Sequence, residues 1–258
     1  MCLTPAQIYD GMAPIGSFFV AGARGRAARE GRVPRFPGLF LALAALIAAS
    51  VSWALPQGPL LDAGTLVIRR SDVVIGREDF TVRRGRSAGP DGYTIASTVT
   101  YPPSSPRITL SPVVELGPDS TPVQVQFDVY ADGQSRIYAR FGPRRITLRV
   151  VRPGGESARE LPATGREMVV DDSAFALHAV PPARGTRQAV FPRNGERLPV
   201  EVVDRGTEQI TLQGVPRELR HEVLRFGPQE RHLWYDEGGR LMKVEVPALG
   251  LVAERGPA

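Results

Sequence analysis

The sequence predicts a mostly β protein. It would be a single antiparallel curved sheet, half-barrel or barrel of about ten or more strands, with at most one or two short helices. Three observations carry this. Apolar and polar residues alternate at period two along many short runs. β-branched residues concentrate in those runs. Turns rich in Gly, Pro, Asp and Asn recur about every ten residues, the spacing of an antiparallel sandwich or barrel. Strands separated by long helical patterns, the mark of a parallel sheet, are not evident.

The elements follow in order. "TLVIRR" (65–70) and "VVIGREDFTV" (73–82) open the domain. In "YTIASTVTY" (93–101), Tyr93, Ile95, Ser97, Val99 and Tyr101 share one face. "RITLSPVVEL" (107–116) follows. Then "VQVQFDVY" (123–130) sets Val123, Val125, Phe127 and Val129 against Gln124, Gln126 and Asp128. "SRIYARF" (135–141) and "RRITLRVV" (144–151) repeat the design, the second with Ile146, Leu148 and Val150 inward. Between 151 and 195 the pattern loosens into long loops around the best helix candidate, "DDSAFALHAV" (171–180). Asp171 or Asp172 would cap that helix and Pro181–Pro182 would stop it. "PRELRHEVL" (216–224) reads equally as strand. "ARFGPRRITL" (139–148) and "LRFGPQERHL" (224–233) resemble each other, as two hairpins with Gly-Pro turns would. In "RHLWYDEGGRLMKVEVP" (231–247), a four-residue "DEGG" loop would pair Tyr235 with Arg240, Trp234 with Leu241 and Leu233 with Met242.

The first 54 residues read as a leader. Arg24, Arg26, Arg29, Arg32 and Arg35 precede an apolar run from Leu39 to Ala49, and Ser50, Ser52 and Ala54 follow, with a cleavage point after Ala54. That is the order of a secretory signal peptide. The N-terminus is long for one, and Val33 is an alternative start. The rival reading is an uncleaved anchor crossing the membrane once. The expectation is therefore export to the periplasm or beyond, with 55–258 a single antiparallel β domain. Membrane contact would come only through the leader, if it stays attached.

Composition narrows function by exclusion. The net charge of +5 comes from 31 Arg and one Lys, scattered among 27 acids, and falls to +2 over 55–258. No basic face is gathered, so no nucleic-acid partner is expected. The lone cysteine, Cys2, permits neither an internal disulfide nor a cysteine zinc site. His178, His221 and His232 show no metal-ligand spacing, and no metal or cofactor is expected. His221 and His232 flank the "RFGPQE" turn with Glu222 and Glu230 nearby, and read as surface or rim histidines. Ser173, His178 and the Asp171–Asp172 pair lack the strand–turn–helix elbow of a serine hydrolase, so no catalytic residue is assigned. No phosphate-cradling or dinucleotide loop occurs.

Two stretches carry a family resemblance. "TLVIRRSDVVIGREDFTVRR" (65–84) and "HLWYDEGGRLMKVEVPALGLVAER" (232–255) resemble the two ends of uncharacterised β-rich domains of exported bacterial proteins. Those domains look similar in architecture to the periplasmic lipoprotein-carrier fold. That resemblance implies a curved sheet able to hold an acyl chain on its concave side. The residues it nominates for an apolar ligand are Phe127, Ile137, Leu148, Phe175, Trp234 and Met242, with Phe80, Val125 and Ile146 on the same inward face. The leading expectation is an exported, non-enzymatic envelope protein that binds a lipid or other apolar small molecule. The alternative is an interaction or structural module with a filled core and an envelope protein as partner. A hydrolase of envelope polymers is third. A carrier should expose apolar residues at a mouth, with Leu161, Met168, Phe175 and Leu177 as candidates. An interaction module should instead offer an apolar patch or an open sheet edge.

Overall fold

The computed structural model describes residues 58–256, apart from 86, 87 and 132. The leader lies outside the described residues. Sixteen strands run in chain order: β1 (Leu60–Arg70), β2 (Val73–Arg84), β3 (Tyr93–Tyr101), β4 (Ile108–Leu116), β5 (Pro122–Tyr130), β6 (Gln134–Phe141), β7 (Arg145–Arg152), β8 (Gly155–Pro162), β9 (Glu167–Val169), β10 (Gln188–Phe191), β11 (Glu196–Pro199), β12 (Glu201–Leu212), β13 (Val215–Phe226), β14 (Gln229–Tyr235), β15 (Leu241–Val246) and β16 (Leu251–Arg255). Thirteen of them form one antiparallel sheet in the order β12-β13-β14-β15-β16-β1-β2-β3-β4-β5-β6-β7-β8. All neighbours but β1 and β16 are consecutive in the chain, so nearly every connection is a hairpin. Among the described residues the sheet is curved and open, with β8 and β12 as its edges.

Period-two alternation decides which side is inside. Phe80, Ile95, Val99, Leu110, Val125, Phe127, Ile137, Ile146 and Leu148 belong to one core and are at most 3% exposed. The faces expected for β3, β5, β6 and β7 are the faces observed, because a one-residue slip would turn each of these side chains into water. Both Gly-Pro hairpins form, joining β6 to β7 and β13 to β14.

Three expectations are corrected. The 171–180 helix is replaced by one 3-10 turn, Ala176–His178. The oxygen of Asp171 that would cap a helix accepts from the Ser173 N–H at 2.8 Å in a local turn, and both its oxygens are claimed by Arg193. The loose middle holds β8 and a second, three-stranded sheet, β11-β10-β9, whose β9–β10 pair is parallel. The hairpin of the β14–β15 pair has a different register. Asp236 pairs with Arg240 across the three residues 237–239, Tyr235 faces Leu241 and Trp234 faces Lys243, with a bulge between them. The extra residue is Met242, and a bulge leaves no mark in a hydrophobic pattern that is apolar on both faces.

Candidate functional site

After Pro162 the chain leaves the sheet, and residues 163–200 contribute Met168, Val169, Val170, Ala174, Phe175, Ala176, Leu177, Ala189 and Val190 to the same core as the sheet's inner face. The inserted segment is mostly irregular, so its backbone groups need partners that a packed apolar sheet does not supply. Polar side chains at inward positions supply them. Glu78 on β2 is fully buried. One of its oxygens accepts from the N–H groups of Phe175 (2.7 Å) and Ala176 (3.1 Å), and the other from the Ser97 hydroxyl (2.7 Å). The Tyr101 hydroxyl donates to the Ser173 carbonyl at 2.7 Å, and the Tyr235 hydroxyl to the His178 carbonyl at 3.0 Å. Arg231 on β14, also buried, donates to the Asp171 carbonyl, to His178 Nε2 (each 3.0 Å) and to the Asp172 carboxylate (2.8 Å). Arg193 holds Asp171 through both carboxylate oxygens.

The electrostatics follow from burial. Loss of solvent pushes the Glu78 carboxyl up to about 7, against the pull of Ser97 and the two backbone donors. Burial, helped by the Arg231 charge, drives His178 well below its ordinary value. Because a guanidinium only donates, His178 Nε2 is the acceptor and its proton sits on Nδ1. Burial also lowers Arg231, with Asp172 and Asp171 opposing. This cluster anchors a backbone and holds its members in fixed roles. Ser173 meets Arg193 through its hydroxyl while His178 meets Arg231, so these contacts do not align a nucleophile with a base. Among the described residues no group of three or more His, Cys, Asp or Glu is arranged to hold a metal ion.

The nominated apolar residues separate into two places. Phe127, Ile137 and Leu148 on the sheet and Phe175 on the insert meet in the main core. Trp234 and Met242 lie on the opposite face, in a small cluster with Ile210, Leu212 and Leu219. Met168, Phe175 and Leu177, expected at a mouth, are buried instead. Glu78 and Arg231 were missed as candidates, although the sequence marks them. Each is a charge at an inward position, Glu78 in step with Phe80 and Val82, Arg231 in step with Leu233 and Tyr235.

On that opposite face the β12–β13 hairpin forms an arm. Val215–Leu219 run past Arg220, the partner of the last β14 residue, and the tip residue Gln213 donates to the Arg255 carbonyl on β16. Leu212 and Leu219 of the arm bury Trp234, whose indole N–H donates to Glu208 at 2.5 Å. His221 stacks on Trp234 with ring centroids 4.6 Å apart, and Lys243 lies 4.9 Å from the indole centroid. His221 Nδ1 is 3.2 Å from Glu208, His221 Nε2 is 2.9 Å from His232 Nδ1, and His232 Nε2 is 3.6 Å from Glu230. The two histidines, read from the sequence as surface or rim residues, are thus in contact with each other.

No family model matches the sequence, and no curated protein matches it. Among solved structures the chain is similar to the crystal structure of a β-barrel-like protein of the domain of unknown function DUF1849 from Brucella abortus. The TM-score is 0.48 and the identity 9%, over 75% of this chain and 94% of that one.

Proposed function

We propose that this chain is an exported, non-enzymatic interaction module of the envelope, built on a filled core, that receives an extended segment of another envelope protein along β8. The observation that carries this reading is the state of that edge. Among the described residues β8 pairs on one side only, with β7. The Ala163 N–H bonds to the Arg144 carbonyl, which fixes the parity of the ladder. Odd residues of β8 face β7, and Glu156, Ala158 and Glu160 turn their N–H and C=O groups outward. Eight exposed or half-exposed residues with no bulge before Pro162 make a template for strand addition. The other edge is guarded: β12 carries a bulge between Asp204 and Thr207, with Gly206 at φ +76°.

Charge selects the occupant. Glu156 and Glu160 flank Ala158 on the outer face, paired with Arg149 and Arg145 of β7. A second copy centred on Ala158 would set Glu156 against Glu160 twice, which disfavours self-pairing. A basic residue opposite Ala158 fits instead. A photo-crosslinker at Glu156, in the protein's own host, should give a discrete adduct that one at Gln209 on β12 does not. Ala158→Pro removes an outward N–H and no bond to β7. It should abolish the adduct with the thermal midpoint close to the unmodified protein's. Absence of the adduct, or its survival in Ala158→Pro, would refute the reading.

A second reading has its own support. The insert covers the apolar concave face where the lipoprotein-carrier resemblance places an acyl chain, and it is pinned there by a handful of polar side chains. Displacement of Ala174–Leu177 would free that face for an apolar guest. Native mass spectrometry and lipid extraction of the protein purified from its own envelope separate the two. A filled-core module releases no apolar ligand; recovery of a stoichiometric acyl compound would put the carrier first.

A further inference from the structure

We infer that Glu208, His221, His232 and Glu230 form one proton-binding relay that clasps the β12–β13 arm to the sheet, taking up a third ring proton in mild acid and gripping the arm harder there. The geometry sets the count. Two imidazoles lie in line between two carboxylates, which leaves three gaps: Glu208 to His221, His221 to His232, and His232 to Glu230. Two neutral imidazoles own two N–H groups. The 3.2 Å and 2.9 Å gaps take them: His221 Nδ1–H donates to Glu208 and His232 Nδ1–H donates to His221 Nε2. That leaves His232 Nε2 as a bare acceptor facing Glu230 at 3.6 Å. A proton added at that atom converts a meeting of two acceptors into an ion pair and breaks neither of the other bonds.

The neighbours on each packed element are consistent with that site. β12 presents Glu208 and Arg205 to His221, and both ring nitrogens of His221 are already engaged, so the proton enters at the outer end. β14 presents Glu230, itself held by Arg225 of β13. β15 places Glu245 opposite His232 and Lys243 opposite Trp234, with Lys243 and Glu245 paired at 3.2 Å. The charge then polarises the His221–Glu208 bond through the shared hydrogen bond, and a charge-assisted bond is the stronger one. Glu208 holds the arm to the sheet from its base, since it also accepts from Trp234, while Gln213 holds the tip.

The test uses the full chain with Trp53→Phe, so that Trp234 is the one indole. Its fluorescence should fall through a single transition within about pH 8 to 5, the range in which histidine titrates. Arm amides between Gln209 and Leu219 should exchange more slowly on the acid side, after correction for intrinsic rates. His232→Gln should lose both responses. An unchanged transition in that variant would mean that His221 titrates alone and would overturn the relay. Nitrogen NMR of the two rings in the unsubstituted protein is independent of any variant's folding. It should show two N–H groups at the alkaline end and three at the acid end. A direct passage from two to four, or no change, would also overturn it.

Discussion

Glu78→Ala is expected to cost about 2–6 kcal/mol of folding stability, because it strands the Phe175 and Ala176 N–H groups inside the core at about 1–3 kcal/mol each. Glu78→Gln keeps an acceptor for both and a group for Ser97, so its loss should be much smaller. The pair also isolates a pH dependence. The native carboxyl is held near 7, against 4.5 when free of the fold. The raised value means that the folded state binds the proton more tightly. The contribution is therefore fully present below about pH 4.5 and is lost as pH rises through 7, a swing of about 3 kcal/mol. Urea melts of the wild type and Glu78→Gln at pH 5 and pH 8 read it as a difference. Parallel pH profiles would show that the carboxylate stays ionised in the fold, carried by its three donors.

Arg231→Ala should cost about 3–5 kcal/mol, the usual result of removing one member of a buried charge cluster. The Asp171 carbonyl and His178 Nε2 lose their donor. Asp172 is half exposed and loses little. His178 carries the opposite sign to Glu78. Its native value is depressed, so its contribution is present above the unfolded chain's 6.5 and is lost as pH falls below it. Glu78→Gln should therefore uncover an acid-side decline, and Arg231→Ala, which removes the neighbouring charge, should make that decline shallower. Denaturant midpoints between pH 7 and pH 5 measure both. An equally steep decline in Arg231→Ala would mean that burial alone keeps His178 neutral.

The inner face was legible because a strand's period is two and burial enforces it. Tyr93 to Tyr101 and Val125 to Val129 could be assigned without a partner strand. Glu78 was legible by the same parity, as an acid in step with Phe80. The β14–β15 register was not legible. It depends on the bulge at Met242, and both faces of that hairpin are apolar, so the pattern penalises neither register. Trp234 was placed on the wrong face for the same reason. The contact of His221 with His232 arises from diagonal neighbours, fixed once Trp234 pairs with His221. The 171–180 helix failed because its capping signal, Asp171-Asp172-Ser173, is spent on Arg193 and Arg231, which lie 22 and 59 residues further along.

The unequal edges of the sheet have a consequence for growth. A sheet with two bare rims has a valence of two and can lengthen without limit, whereas β12 is interrupted by its bulge and β8 keeps an unbroken register. Such a sheet has a valence of one. On the proposed reading growth runs through β8 alone, so crowding in a confined compartment would favour closed pairs over open-ended arrays.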